Sequence, residues 1–299
     1  TMEFFDQLQQ QTSAERDYLL AAPIIHSALA GTATRAQYIA FLTQAYHHVK
    51  HTVPLLMACG ARLPERLEWL REAIAEYIEE EIGHQEWILN DIRACGGDAE
   101  AVRHGQPALP TELMVAYVYD RIARHNPASF FGMVNVLEGT SIALATQAAG
   151  VLQDKLDLPA KAFSYLTSHG SLDLEHIEFF KRLMNRLDNE DDKAAVVHTA
   201  RVVYRLYGDI FRRSTTMHLP DARLLLTGAS GGIGQLLVER LCAGGARLLL
   251  VGRDSIALES LARRYLGQIS LVVADLTQRS GRQLVLEAAR RFGGLNGVI

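Results

Sequence analysis

Six side chains in three short stretches have the types and spacing to hold metal ions. The first stretch is Glu79-Glu80-Glu81-Ile82-Gly83-His84-Gln85-Glu86-Trp87. Glu81 and His84 are three apart, so one helix face would project both. The second is Glu138, the one formally charged residue between His125 and Asp154, set among Phe130, Phe131, Val134, Leu137, Ile142 and Leu144. A helix that apolar is expected to be buried, and a buried carboxylate needs a cation or a strong hydrogen-bonding partner. The third is His169-Gly-Ser-Leu-Asp173-Leu-Glu-His176. Its i, i+4, i+7 spacing puts His169, Asp173 and His176 in one stripe. Three carboxylates and three imidazoles with open positions suit iron or manganese better than zinc or calcium. Helical di-iron proteins point such ligands inward from facing helices. Two irons bridged by carboxylates would activate dioxygen, while the protein fixes geometry and excludes water.

Each stretch has a blander reading. Glu81 belongs to an acidic run with Glu76, Glu79 and Glu80, and such runs are usually a solvated face. Glu138 could pair with a buried Arg or Tyr. The histidine stripe is harder to assign to anything but a metal, and the joint pattern on separate helices favours the metal. The polar segment Tyr46-His47-His48-Val49-Lys50-His51 reads either as a pocket wall or as a hydrated helix face with histidines behind the metal ligands.

A second kind of chemistry lies near the C-terminus. Thr227-Gly228-Ala229-Ser230-Gly231-Gly232-Ile233-Gly234 follows a short apolar run and opens a helical one. Glycines there allow a tight turn and close backbone approach, so a pyrophosphate can sit on the helix N-terminus. A lone glycine motif is weak, but strand and helix flank this one correctly. Arg253, after the second strand, can pair with a 2′-phosphate, which favours NADP(H) over NAD(H). Asp254 keeps NAD(H) open. Asp275 ends the third strand and could reach the adenine. Loop solvation is the plain alternative for Arg253 and Asp275.

The elements that must carry these residues differ between the two ends of the chain. Residues 1–217 read as about seven helices, with apolar residues at helical spacing in Thr34–Leu56, Leu67–Leu89, Leu113–Ile122, Ala128–Leu152, Ala160–Leu187 and Ala194–Phe211. Residues 218–221 are a joint. Strand and helix then alternate over 221–299, with strands at 223–226, 247–251 and 269–273, which predicts a parallel α/β unit with right-handed crossovers. The chain stops at Ile299, where a fourth buried strand begins. We therefore expect a fragment of a longer protein: a multidomain chain with an all-α bundle followed by a truncated Rossmann-type domain. The open sheet edge favours pairing with a second copy, a homodimer.

Composition narrows the classes. The chain has 299 residues, 48% of them hydrophobic and 21% charged, as in ordinary globular domains and not in disordered or fibrous ones. No run of 18 uncharged apolar residues is present, so no membrane partner is expected. No basic-then-apolar leader opens the sequence. Cys59, Cys95 and Cys242 are scattered, which fits a reducing, cytoplasmic setting. Residues 221–299 carry ten Arg, no Lys and six acidic residues, a net of +4; residues 1–220 carry a net of −8. Neither part has a dense basic stripe, so no nucleic-acid partner is expected. All eleven histidines precede residue 220.

Taken together, Glu-x-x-His, a lone apolar-flanked Glu and His-x-x-x-Asp-x-x-His over residues 1–217 resemble the haem-oxygenase-like di-iron oxidases and oxygenases. These are relatives of the thiaminase-II and pyrroloquinoline-quinone-synthase fold, and Glu80-Glu81-Ile-Gly-His84-Gln-Glu-Trp-Ile-Leu-Asn-Asp91 looks like that family too. The resemblance implies Glu81, His84, Glu138, His169, Asp173 and His176 as iron ligands, with Glu80 as an alternative first carboxylate. It implies oxidation of amino acids, amines or fatty acids. Residues 221–299 resemble the N-terminal part of short-chain dehydrogenases/reductases. The family's Asn-Asn-Ala-Gly segment, catalytic Ser and Tyr-x-x-x-Lys would lie past Ile299, so no hydride transfer is expected of this segment alone. The expected partners are dioxygen, a small-molecule substrate and NADP(H). The rival expectations are a metal-free thiaminase-like hydrolase, a small-metabolite-binding helical module, and a protein whose reductase is the main activity.

Overall fold

The computed structural model describes residues 2–171, 173–213 and 222–299, and the side chains of 169–175 lie outside that description. The chain divides into two compact units, Thr1–Thr215 and Thr216–Ile299.

Among its described residues the first unit has helices and connecting turns and no strand. The helices are α1 (Phe4–Gln11), α2 (Ser13–Leu20), α3 (Pro23–Leu29), α4 (Arg35–Val49), α5 (Thr52–Arg62), α6 (Glu68–Glu81), α7 (His84–Ala94), α8 (Ala99–His104), α9 (Leu109–Arg124), α10 (Phe130–Leu156), α11 (Ser164–Ser171), α12 (Asp173–Arg186) and α13 (Glu190–Arg213). Local chemistry sets several starts. Thr34 and Gln37 form a reciprocal capping box before α4, and Asp98 accepts from the Ala101 N–H before α8. Pro23 occupies the first turn of α3, where its missing N–H costs nothing. The core gathers Leu8, Leu42, Leu55, Ile88, Phe131 and Phe163 around α10. By length and composition Pro127–Leu156 could cross a membrane; here Phe130, Phe131, Met133 and Val136 of that stretch are buried in the bundle.

Two buried carboxylates fasten distant segments. Asp91 on α7 accepts from the Ser164 hydroxyl at 2.5 Å, the Ser164 N–H at 3.2 Å and the Tyr165 N–H at 2.8 Å. Those N–H groups are unpaired donors of the first turn of α11, so Asp91 caps that helix from across the bundle. Asp192, in the first turn of α13, accepts two hydrogen bonds from Arg66 and one from Asn126 Nδ2.

Three periodic runs break where a single helix is expected. Thr34–Leu56 is α4 and α5, turning at Lys50–His51, and Ala160–Leu187 is a short 3₁₀ turn followed by α11 and α12. The expected helix through Glu81 and His84 also divides. Gly83 takes φ +89°, a conformation glycine reaches without steric cost. So α6 ends at Glu81 and α7 starts at His84.

The second unit is a parallel sheet in the order β3-β2-β1-β4: β1 (Arg223–Thr227), β2 (Arg247–Gly252), β3 (Ile269–Val273) and β4 (Gly297–Val298). Leu225 pairs with Leu249 and with Val298 across β1. The connecting helices are α14 (Gly232–Ala243), α15 (Ser255–Arg264) and α16 (Arg279–Arg291). Alternation along the strands builds two apolar layers. Leu226, Leu248 and Leu250 pack with Val238, Leu258 and Leu261 of α14 and α15. Leu225, Leu249 and Val251 pack on the other face with Val285 of α16 and Phe292. Burial of both faces explains why β2 reads as an unbroken apolar run.

Candidate functional site

A cavity inside the helical unit is lined by Glu81, His84, Glu138 and His176, among others. They come from α6, α7, α10 and α12. Despite the helix break, His84 Nδ1 lies 3.0 Å from Glu81 Oε2. The turn at Gly83 thus keeps the pair together that helical spacing predicts, by a different route. The acidic run splits. Glu76, Glu79 and Glu80 are exposed, whereas Glu81 faces the cavity with its side chain 21% exposed. Glu80 Oε2 is 3.3 Å from His176 Nε2. Each of the two alternative carboxylates therefore meets one of the expected imidazoles. His169 lies on α11 and Asp173 opens α12; their side chains fall outside the described residues.

The sequence reading missed three tyrosines here: Tyr77, Tyr165 and Tyr207 line the same cavity. Tyr77 stands one helical turn before Glu81, a spacing that could have flagged it. Among the described residues its buried hydroxyl has no hydrogen-bond partner. Burial pushes its pKa up, and the nearby Glu138, Glu80 and Glu81 carboxylates add to the shift. The Tyr165 hydroxyl is raised by burial, and by Tyr207 and Glu81. His48 also lines the cavity, and His47 and His48 are both 1% exposed, so this part of α4 is not a hydrated face. Burial and the Lys50 and His51 charges push the His47 pKa down to about 4. It is therefore neutral at physiological pH.

Among the described residues, the cavity wall holds two carboxylates and three imidazoles but no Lys or Arg. The nitrogen and carboxylate donors are those iron accepts, so the residues fit the metal. Among the described residues no three of these side chains already stand close enough to grip an ion together.

In the second unit, Thr227 ends β1 and donates its N–H to the Ile299 carbonyl at 3.0 Å. Gly228 follows with φ +66°, and its carbonyl accepts from the Gly231 N–H at 3.1 Å. Ser230, Gly231, Gly232 and Ile233 lead into the first turn of α14, where Ile233 is 80% exposed. A Cβ on Gly234 would sit 2.2 Å from the Gly228 oxygen, so the turn closes only around glycine. The free N–H groups of this helix start form a cradle for a phosphate. Arg253 is exposed just past β2. Asp254 caps α15 by accepting from the Ala257 N–H at 3.0 Å. Asp275 accepts from the N–H and hydroxyl of Thr277; these bonds, and Arg253 nearby, hold its carboxyl below the usual range.

Comparison with known proteins assigns both units. Residues 39–208, more than half of the chain, match the model of a family described as iron-containing redox enzymes with a haem-oxygenase-like fold. The chain belongs to that family. Residues 222–299 match the short chain dehydrogenases. A domain of unknown function with a haem oxygenase-like fold from Shewanella denitrificans is similar to this iron-containing redox enzyme family member. Its TM-score is 0.63 and identity 26%, over 70% of this chain and 91% of that one. A TenA homologue from Pseudomonas syringae shares the fold, at TM-score 0.60 and 12% identity, over 71% of this chain and 92% of that one. The hydroxysteroid 11-beta-dehydrogenase 1-like protein of Xenopus tropicalis is 37% identical over 86 residues, 27% of this chain and 30% of that protein. The chain thus spans under a third of that curated relative.

Proposed function

We propose that the helical unit is a dioxygen-using oxidase or oxygenase whose iron pair is held by Glu81, His84, Glu138, His169, Asp173 and His176. The observation that supports it best is the meeting of Glu81, His84, Glu138 and His176, from four helices, in one cavity. Iron bound there would supply the electrons for reducing dioxygen. The chain's own residues do the rest. Glu81 orients the His84 ring through the hydrogen bond at Nδ1, as a neighbouring carboxylate orients a ligating imidazole. Phe130, Met133, Val134 and Leu137 keep water from the cavity. The Tyr77 hydroxyl stays protonated and is placed to donate a hydrogen bond to a polar atom of bound substrate.

A nucleophilic-thiol hydrolase is the weaker reading. Burial pushes the thiol pKa of Cys59 well up and that of Cys95 up to about 11, and a thiolate is the reactive form. For residues 222–299 we assign NADP(H) binding. Asp254 is committed to its helix cap, so Arg253 is left to meet a 2′-phosphate. Carbonyl reduction, if the whole protein performs it, would act on a product of the first reaction.

Equilibrium dialysis against Fe(II) under anaerobic conditions tests the metal reading. Glu138→Gln and His176→Ala should each lose most bound iron while keeping the wild-type circular dichroism. Wild-type iron content in both variants would overturn it.

A further inference from the structure

The Trp87 ring lies 4.1 Å from the His84 ring, centre to centre, with 32° between their planes. The two residues are three apart on α7, so they share one helix face. His84 is 6% exposed, whereas Trp87 is 37% exposed. The stacked pair therefore spans the wall of the site. The imidazole lines the cavity, and the indole meets solvent.

Other rings nearby are worse placed to give up an electron. A phenol sheds its proton when it is oxidised. Among the described residues the buried Tyr77 hydroxyl has no partner to take that proton, and burial with the nearby carboxylates holds it on. Burial holds the Tyr165 proton in the same way. An indole loses its electron first and its proton afterwards, and the exposed Trp87 has water to receive it. Trp69, the second tryptophan of the chain, lies under the Arg186 guanidinium at 4.4 Å. A cation over the ring is attracted to its π electrons and opposes the loss of one.

Dioxygen takes four electrons to become water. Two Fe(II) supply two of them, and a bound substrate supplies the rest. Without substrate the remainder has to come from elsewhere. We propose that Trp87 is then the electron relay between solution and the site. It passes one electron through the His84 ring to the oxidised site and its indole N–H proton to water. The indolyl radical takes back one electron and one proton from a soluble thiol. Two such rounds complete the reduction of dioxygen, the remaining protons come from solvent, and the two thiols pair as a disulfide. Trp87 thereby spares Tyr77 and Tyr165 from oxidation. This rests on the oxidase reading for the oxidant, while the route is argued from the ring stack.

Freeze-quench electron paramagnetic resonance tests it. The 299-residue chain is loaded with Fe(II) without oxygen, then mixed with oxygenated buffer in the absence of substrate. The wild type should give a radical signal that narrows when its tryptophans carry deuterated rings, and that decays faster with added glutathione. Trp87→Phe keeps a ring against His84 but one far harder to oxidise. It should keep its bound iron, lose the indole signal and gain oxygen on Tyr77 or Tyr165, read by peptide mass spectrometry. Trp87→Tyr should restore a radical, now tyrosyl, and Trp69→Phe should leave the wild-type signal in place. An indole signal that survives in Trp87→Phe would overturn the inference. So would its absence from wild-type chain that has bound iron and consumed oxygen, and either result leaves the oxidase reading standing. A chain that holds no iron or consumes no oxygen would overturn both.

Discussion

Replacing Asp91 by Ala tests how a buried cap places one wall of the site. The Asp91 carboxylate is inaccessible to solvent and accepts three hydrogen bonds at the start of α11. Burial pushes its pKa up, while the Ser164 hydroxyl and the two backbone N–H groups pull it back. Loss of a helix N-cap costs ~1 kcal/mol. The other bonds to a charged acceptor add to that, and relief of the carboxylate's own desolvation offsets part. The net is about 3 kcal/mol. For a unit of this size that lowers Tm by roughly 6–12 °C. Asp91→Asn keeps one acceptor oxygen and should lose about half as much. The consequence for function is separable. Tyr165, beside the capped N–H groups, lines the cavity that holds Glu81 and Glu138, and His169 follows one turn later on α11. Asp91→Ala should therefore lower Fe(II) affinity at temperatures where the protein is fully folded. Circular dichroism melting and anaerobic iron titration read the two effects. A Tm within about 2 °C of wild type would mean the cap does not hold the helix. A lowered Tm with unchanged iron affinity would mean that α11 does not depend on it to place the site.

Four further outcomes follow from named contacts. Arg66→Ala, which leaves Asp192 buried with only Asn126 as side-chain partner, should cost about 2 kcal/mol, a buried-pair loss discounted because the Arg66 side chain is half exposed; unlike Asp91→Ala, it should leave iron affinity unchanged at permissive temperature. Burial raises the Asp192 pKa, but hydrogen bonds from Arg66 and Asn126 outweigh it and hold the carboxyl below its usual range. The stability it contributes is therefore full above the unfolded pKa of about 3.9 and is lost as pH falls through the folded value; acid melts of Asp192→Asn should lack that component. Gly234→Ala drives a Cβ onto the Gly228 oxygen, so NADPH titrated by fluorescence should bind at least about tenfold more weakly, and wild-type affinity would rule out the cradle. Arg253→Ala should weaken NADPH about tenfold and NADH little; equal loss for both would put Arg253 elsewhere.

Much of the second unit was legible because a parallel strand buried on both faces writes itself as an apolar run. Ile269–Val273 is bounded as its residues suggest, and the other strands differ by a residue or so at an end. The helical unit was legible in class but not in boundaries. Apolar spacing continues straight through Gly83 and through Lys50–His51, and periodicity alone does not register a turn that keeps the same face inward. At the site, the charged ligand candidates stood out because charge is rare in apolar surroundings, as at Glu138. Tyr77, Tyr165 and Tyr207 did not, because a tyrosine in an amphipathic helix looks like any other core residue until the opposite wall is known.

Bound iron and its response to oxygen are the most direct test of the helical unit's chemistry. The 299-residue chain loaded with Fe(II) without oxygen, desalted, counted for metal and then mixed rapidly with oxygenated buffer should hold close to two irons per chain and give a transient visible absorbance. No retained iron, or one weakly held ion with no response to oxygen, would contradict it.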